Sequence, residues 1–600
     1  MRKANSLIAG LITVSLFVFG SFILSCSTST AEKPDSDTSP EVPSDPDDNP
    51  VDDTPVDSSP LLFTQTGACG WEGSTSVSVS ETSVDGTAAW HIVNNNWNAA
   101  AVFSVNLGEQ TLSDFAGLGM KVRIDSDNLA YRNLAVEVKA PGATAFTAIE
   151  MNPPTNLVLA RRSAGSAAVS DILELVIAFD YGSLGADSDY VRNLTNTLEL
   201  AIGISAPADT SFTLYDLRLI NVPSGAVHWT EAPALKEAAA PWFDYFGIAV
   251  LASELSQSGI RAGLARHADS ITLGNEFKPD AILGANPPAQ TVLYTGPDGV
   301  TYPVPGALNF STVDQAFSHC RDSGLTMRGH VLVWHSQTPE WFFRQDFNTS
   351  LPRVGVAEMN ARMRWYIESV LTHVQDWENE NNAGERIITS WDVVNEAASD
   401  QATSTNWLRG ADSSSWFAIY GNADFIVNAF VYANEFASSD VLLAYNDYNT
   451  YIPAKTAAIL KIIDAIQADP EARIDVLGMQ SHVLIGYPGV SSYRTAVEAF
   501  FEKGLDVQVT ELDIHTTSND AVVQAELASV YADYFTLFLE KRKTGSLPGI
   551  TGITLWGITD ANTWLTDLHD ETSYPLLFDG LYYTKPAFDT VIEILTSGGI

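Results

Sequence analysis

Cysteine is nearly absent from this chain, with three in 600 residues. Cys26 closes an apolar leader, so Cys69 and Cys320 remain for the folded part. They fall in different predicted domains, which argues against a disulfide between them. Both read as small buried hydrophobes. No CxxC pair and no His/Cys cluster is present, so no metal site is expected. Basic residues are scarce too: 32 Lys+Arg stand against 73 Asp+Glu, a formal net charge of −41. Phosphate backbones need basic side chains, so this balance argues against a nucleic-acid partner. The acidity reads as solubility in an extracytoplasmic space. There is no P-loop, no GxGxxG fingerprint, no GxSxG elbow and no HExxH. A hydrophobic fraction of 45% is ordinary for a globular protein. A chain of this length outgrows one core, so two or more domains are expected.

The N-terminus starts with Arg2 and Lys3, and an apolar run extends from Leu7 to Leu24. A positive start, an apolar core and a small residue before the cut describe a signal peptide over residues 1–26. Ile23-Leu24-Ser25-Cys26 resembles the bacterial lipobox. That resemblance implies that Cys26 is lipidated and becomes the mature N-terminus. Left uncleaved, the same span is long enough to be a membrane anchor. Either way the expectation is a chain tethered to a bacterial membrane, at the cell surface or in the periplasm. Residues 27–60 hold little to bury. Pro43–Pro60 (PSDPDDNPVDDTPVDSSP) reads as an acidic, proline-punctuated linker, kept extended by self-repulsion.

From 61 to about 225 the pattern is short and β-like. Ser76–Glu81 and Ala101–Asn106 alternate apolar and polar residues. Leu118–Ile124, Leu134–Val138, Leu198–Ile204 and Phe212–Leu219 are further strand candidates, set apart by Gly, Asn, Asp and Ser. This spacing predicts an all-β jelly-roll sandwich. Leu214–Leu219 resembles the last strand of sandwich carbohydrate-binding modules, so a glycan-binding role is one expectation. Trp71, Trp90, Trp97 and Tyr131 either offer flat faces to sugars or belong to the core, and core is the favoured reading for each.

From 228 to 600 β-like runs alternate with helical stretches such as Val356–Gln375 and Ala521–Lys541. Eight runs can be counted: Phe246–Leu251, Ser270–Asn275, Thr326–His335, Ile387–Glu396, Val441–Asn449, Val476–His482, Leu505–Asp513 and Gly552–Asp560. Eight strands separated by helices predict an α/β domain, a (β/α)8 TIM barrel. The runs are apolar along their length and turn polar at their C-terminal ends, where such barrels hold their chemistry. Those ends carry Asn275, His330, Trp334, His335, Asn395, Glu396, Asn446, Gln480, His482, Glu511, Asp513, Trp556 and Asp560. One polar residue there is easily a satisfied core group; a dozen at equivalent positions is a site. Indoles stack on sugar faces, while amides and carboxylates bind hydroxyls. Glu396 and Glu511 each end a buried run, as glycoside cleavage by two carboxyl groups requires. Such chemistry needs no cofactor.

The segments Met327–Trp341 (MRGHVLVWHSQTPEW), Trp391–Glu396 (WDVVNE), Tyr445–Asn449 (YNDYN), Gly478–His482 (GMQSH), Thr510–Asp513 (TELD) and Leu555–Asp560 (LWGITD) carry a family resemblance. So do Pro575–Gly580 and Lys585-Pro586-Ala587. In this order they resemble glycoside hydrolase family 10, mostly endo-1,4-β-xylanases, from about Leu235 to Ala587. The resemblance implies Glu396 as general acid/base and Glu511 as nucleophile. It implies Asn395 as the amide that bonds the sugar 2-hydroxyl and the nucleophile. His482 and Asp513 match the pair that orients and ionises the nucleophile. His330, Trp334, Gln337, Gln480 and Trp556 match substrate-lining residues. Asn275 and Lys278 match polar contacts on the non-reducing side, and Trp564 a cap on the cleft. The implied partner is xylan or a related β-1,4 polysaccharide, cut by a monomeric retaining enzyme with carboxyl groups roughly 5–5.5 Å apart. Burial beside Trp391 or Trp556 and repulsion from Glu511 are expected to raise the pKa of Glu396.

Three departures accompany the resemblance. Gly274 stands where the family usually carries Glu, which removes a hydroxyl acceptor on the glycone side. The loop from about Ile282 to Pro303 is longer than usual, either rebuilding the glycone wall or a harmless insertion. Leu565 comes after Trp564 where Arg is common. A retaining endo-β-1,4-glucanase or mixed-linkage glucanase is the alternative with the same mechanism. A surface glycan-binding lipoprotein with little activity is the alternative of another class; loss of either glutamate would signal it, and both are present.

Overall fold

A computed structural model describes residues 63–70, 77–94, 99–125, 133–139, 147–148, 155–156, 172–179, 191–205, 210–569 and 571–598. The leader with Cys26, the 27–60 linker, and Trp71, Trp97 and Tyr131 lie outside them. No described helix is long and apolar enough to cross a membrane.

The N-terminal strands pair into two antiparallel sheets. One runs in the order Thr64–Gly70, Ala99–Thr111, Thr195–Ser205, Asn133–Lys139 and Thr147–Ala148, with Thr155–Asn156 also on Asn133–Lys139. The other runs Val77–Val84, Thr87–Asn94, Thr210–Asn221, Phe115–Ile124 and Ile172–Ala178. Alternate residues point inward, because side chains switch faces at every step of a strand. Phe103, Val105, Leu118, Met120, Val122, Leu198, Leu200, Ile202, Phe212 and Leu214 form the core between the sheets. Truncating one of these leucines to alanine costs about 2–5 kcal/mol. Trp90 belongs to that core, edge-on to Phe103 with centroids 5.0 Å apart.

All eight expected barrel strands are present and parallel. They are Tyr245–Val250, Ser270–Leu273, Thr326–Trp334, Ile388–Asn395, Leu442–Asp447, Val476–Met479, Asp506–His515 and Ile550–Leu555, the first to eighth strands in chain order. Each pairs with its neighbours in that order, and the eighth pairs with the first, which closes the barrel. Their residues are buried almost throughout, as parallel strands covered on both faces must be. The second strand stops at Leu273, short of Asn275. The sixth breaks at Ser481, whose φ of 67° turns the chain before His482–Leu484 resumes pairing on the seventh strand. Cys320 is buried and free, in the helix Ser311–Ser323.

The segment after Ile282 departs from a loop. It folds as a hairpin, Thr291–Thr295 against Thr301–Pro305. The hairpin is anchored on the helix Val356–Asn381, where Tyr294 donates to Glu368 at 2.5 Å and accepts from Arg364. The sandwich and barrel lie in one compact unit. Ala116 and Ala178 of the sandwich join the barrel's apolar cluster. A Cβ on Gly117 would sit 2.5 Å from the Ile177 carbonyl oxygen of the neighbouring strand and 2.9 Å from Leu581 Cδ2, and the backbone clash is what requires glycine there.

Candidate active site

Irregular pairing at the mouth of the barrel aims the side chains. The register slips between His330 and Val333 against the fourth strand, and between Asp392 and Val394 against the fifth. Such slips bend a strand and re-aim the side chains beyond the bend. As a result Trp334, Asn395 and Asn446 lie abreast on three neighbouring strands. Beneath them, inside the barrel, Asp392 accepts from buried Arg328 and meets His330 Nδ1 at 2.9 Å. Arg328 also donates to Ser390 and Gln508. Removing one partner of such a buried pair costs about 3–5 kcal/mol, so His330 stands on a rigid base.

Glu396 comes directly after the fourth strand, with the left-handed backbone φ of 56°. Trp334 Nε1 donates to its Oε2 at 3.0 Å. Gln480 Nε2 and Asn395 Nδ2 donate to its Oε1 at 2.9 and 3.2 Å. Burial, and next the charge of Asp447, push this carboxyl above its ordinary value, and Glu511 adds a smaller push. The direction is as expected, and so are burial and Glu511 as sources; Asp447 is an added source, ahead of Glu511. Trp391 is buried behind the strand against Phe277 and Gly329, so the indole on the carboxyl is that of Trp334.

Glu511 lies within the seventh strand and is 5% exposed. Burial alone would raise its pKa. The hydrogen bond from His482, the charges of His330 and His482, and the bond from Asn446 outweigh burial and hold it at about 2. His482 Nε2 lies 3.2 Å from Glu511 Oε2, and its Nδ1 lies 2.9 Å from Asp513 Oδ1. Burial works against an imidazolium here, but the charge and hydrogen bonds of Asp513 and Glu511 raise His482 to about 10. The ring therefore donates from both nitrogens. Trp564 Nε1 donates to Asp513 Oδ2 at 2.8 Å and meets the His482 ring edge-on at 4.8 Å. Trp556 stands edge-on to both His330 and His482, with centroids 5.7 and 6.3 Å away.

Amides join the two carboxyl groups. Asn395 Nδ2 donates to Glu396, Asn446 Nδ2 donates to Asn395 Oδ1 at 3.0 Å, and the same Nδ2 donates to Glu511 Oε1 at 2.8 Å. The direct amide on Glu511 is thus Asn446, in place of the expected Asn395. Asn395 reaches Glu511 only through it. The YNDYN segment carries this residue, but nothing in the sequence separates the two asparagines.

On the far side of Trp334, buried Lys278 donates to Asn275 Oδ1 at 3.3 Å and to Gln337 Oε1 at 3.0 Å. Its ammonium lies 5.0 Å from the Trp334 ring centroid. Asn275, Lys278, Gln337 and Trp334 therefore form one wall beside the carboxyl pair. Two strand-end residues do not join the site. Asp560 binds Lys585 Nζ at 2.8 Å and the backbone N–H of Leu576. Half-buried His335 lies by Arg409, Asp400 and Lys455, and desolvation and the two cations hold it down at about 3.

The family model described as glycosyl hydrolase family 10 matches residues 234–594. An endo-1,4-beta-xylanase B of Butyrivibrio fibrisolvens is 35% identical over 363 residues, 60% of this chain and 53% of that protein. An endo-1,4-beta-xylanase A of the same organism is 33% identical over 370 residues, 59% of this chain and 82% of that one. The chain thus spans about half the length of the first of these relatives. A solved structure from Clostridium thermocellum, the CBM22-1 and GH10 modules of an endo-1,4-beta-D-xylanase complexed with xylohexaose, aligns over 90% of this chain and 98% of its own. Its TM-score is 0.53 and its identity 24%, a likeness of fold.

Proposed function

Since the chain belongs to glycosyl hydrolase family 10, we propose that it is a retaining endo-1,4-β-xylanase. The observation that carries this reading is the carboxyl pair: half-buried Glu396 and buried Glu511, with pKa values pushed in opposite directions. A retaining glycosidase needs one protonated and one ionised carboxyl group at the scissile bond.

Glu511, ionised beside the His482 imidazolium, attacks the anomeric carbon. The bond to the leaving oxygen breaks as Glu396 gives that oxygen its proton. Esterification removes the charge of Glu511, so one source of the raised Glu396 pKa disappears. Glu396 then takes the proton of a water that attacks the same carbon and frees Glu511. Asn446 and His482 hold Glu511, and Asp513 holds His482. Asn395 and Gln480 face the reacting sugar from the acid side. Asn275, Lys278, Gln337, His330 and Trp334 form the glycone wall, and Trp556 and Trp564 supply apolar faces. The site works without metal or organic cofactor in this scheme. An NMR time course on xylan is expected to show the β-anomer as first product, and the α-anomer first would overturn the reading. Reducing-sugar release from β-glucan or carboxymethylcellulose exceeding that from xylan would replace xylan by a glucan.

We further propose that the sandwich binds glycan and that Cys26 carries a lipid anchor on a monomeric, surface or periplasmic protein. The CBM22-1 module in the aligned structure supports the first part. Affinity electrophoresis of residues 61–225 with polysaccharides tests it. Mass analysis of the mature N-terminus for diacylglycerol on Cys26 tests the second.

A further inference from the structure

Four charged side chains lie behind Glu396, and the double displacement uses none of them. Asp447, at the end of the fifth strand, is fully buried, and Lys455, on the helix Pro453–Gln467, is 2% exposed. Lys455 Nζ lies 2.9 Å from Asp447 Oδ1 and 2.7 Å from Asp400 Oδ1, and sits 3.5 Å from the Tyr448 ring centroid. Asp400 Oδ2 accepts from Tyr448 at 2.5 Å and lies 3.1 Å from Arg409. Arg409 donates from Nη2 to Tyr448 Oη at 3.1 Å and from Nε to the backbone carbonyl of Glu396 at 3.1 Å. The other side of the same residue is tied as well. The Glu396 N–H donates to the Asn446 carbonyl at 2.9 Å, next to Asp447. Asp447 Oδ2 accepts from Tyr445 at 2.6 Å, and the Tyr445 oxygen takes the Ala398 N–H at 2.9 Å. Of the four, Arg409 alone holds the Glu396 peptide directly, at its carbonyl. Asp447 reaches Ala398 through Tyr445, and it follows Asn446, whose carbonyl takes the Glu396 N–H.

That grip falls on a residue in a conformation that costs energy. A glutamate at φ 56° lies in the left-handed region, which non-glycine residues enter only when their surroundings impose it. A strand continuing in β geometry would carry the carboxyl elsewhere.

We propose that Arg409, Asp400, Lys455 and Asp447 are positioning residues for Glu396, holding its backbone in the left-handed turn and setting the field in which its proton is bound. This rests on the reading of Glu396 as the acid/base. Arg409 acts on geometry, since it holds the carbonyl. Asp447 and Lys455 act on charge, and in opposite senses: the carboxylate favours the protonated form of Glu396, and the ammonium offsets it. Loss of packing cannot imitate the consequence. Asp447→Asn moves the alkaline limb of the kcat/KM profile to lower pH, and Lys455→Met moves it to higher pH.

The experiment uses the full chain with Asp447→Asn, Lys455→Met, Arg409→Gln, Arg409→Lys and Glu396→Ala. Each is assayed across pH on xylan and on a dinitrophenyl xylobioside, whose leaving group needs little acid help. Arg409→Gln is expected to lower kcat on xylan about tenfold or more with KM little changed, within the range general-acid catalysis supplies. The dinitrophenyl substrate should lose far less, and Arg409→Lys should recover part of the loss. Limbs that stay put or move together, or equal Arg409→Gln losses on both substrates, overturn the proposal. The isosteric Asp447→Asn carries the pH test if Lys455→Met does not fold. Glu396→Ala is the control: without leaving-group dependence in it, the acid/base reading itself falls. With that dependence but without the shifts, only the positioning role falls.

Discussion

Two corners of the barrel mouth each hold one glutamate, half-buried Glu396 and buried Glu511, and their surroundings have opposite sign. At the end of the fourth strand Glu396 receives neutral donors from Trp334, Gln480 and Asn395, with the Asp447 carboxylate behind them. In the seventh strand Glu511 receives an imidazolium and an amide, and the charge of His330 adds to them. Burial pushes both carboxyl groups up. Desolvation therefore does not divide their labour. The division comes from the residues one step behind: Asp513 keeps His482 charged, whereas Asp447 faces Glu396 as a like charge. In the proposed roles, one barrel can run acid and nucleophile in a single site because the two glutamates differ in company.

The strongest way to break this comparison is to remove Glu511. Glu511→Ala is expected to abolish turnover of xylan and aryl xylobiosides alike, because no other group in the site is placed to attack the anomeric carbon. Azide added to the variant should restore turnover and yield an α-glycosyl azide, formed in a single displacement. A variant that stays fully active transfers the nucleophile elsewhere and ends the comparison.

A smaller effect sharpens it. Glu511 must be ionised to attack, and His482 is the leading reason it stays ionised down to about pH 2. With His482→Asn the burial penalty is no longer opposed by an imidazolium, so the carboxyl should titrate at higher pH. Activity is then lost earlier as pH falls, and the acid limb of kcat/KM moves upward by one unit or more, about tenfold in rate at a fixed acidic pH. The alkaline limb should stay near its original position, since Glu396 carries it. An acid limb unmoved by His482→Asn would mean that other groups set the charge of Glu511.

Much of this arrangement is legible along the chain because parallel barrel strands are buried on both faces. An apolar run that stops at a polar residue marks where a strand meets the mouth, and Glu396 and Glu511 stand out for that reason. The same signal misplaces Asp560, which ends its run identically but serves as the partner of Lys585. The cluster around Glu396 is illegible for a different reason. Arg409 lies 13 residues beyond Glu396, and Lys455 reaches Asp400 across 55 residues. Their meeting depends on the fourth and fifth strands being neighbours, which periodicity does not encode. In the sandwich, Thr64–Gly70 and Ile172–Ala178 are among the strands that escape the expected set. The first is rich in Thr and Gly, and the second exposes Ile172 and Val176 where a half-buried strand would be polar.

The smallest expected effect lies on the glycone wall, away from both corners. A Cβ added at Gly274 meets Leu251 Cδ2 at 3.2 Å and the Val250 carbonyl at 3.6 Å. Leu251 is 38% exposed, so its side chain can yield, and Gly274→Glu should fold. The new carboxylate would sit beside Asn275 and offer an acceptor to a sugar hydroxyl. Glu276 is close by, with its own carboxylate on the Ala252 N–H at 3.0 Å, and repulsion trims the gain. One net hydrogen bond of about 0.5–1.5 kcal/mol corresponds to a fall in KM of roughly two- to tenfold. That fall should appear for xylotriose and longer oligosaccharides, with kcat unchanged, because neither glutamate's surroundings are touched. Unchanged kinetics at every chain length would place the glycone sugar out of reach of position 274. A changed kcat would show that the wall and the carboxyl pair are coupled through Lys278 and Trp334.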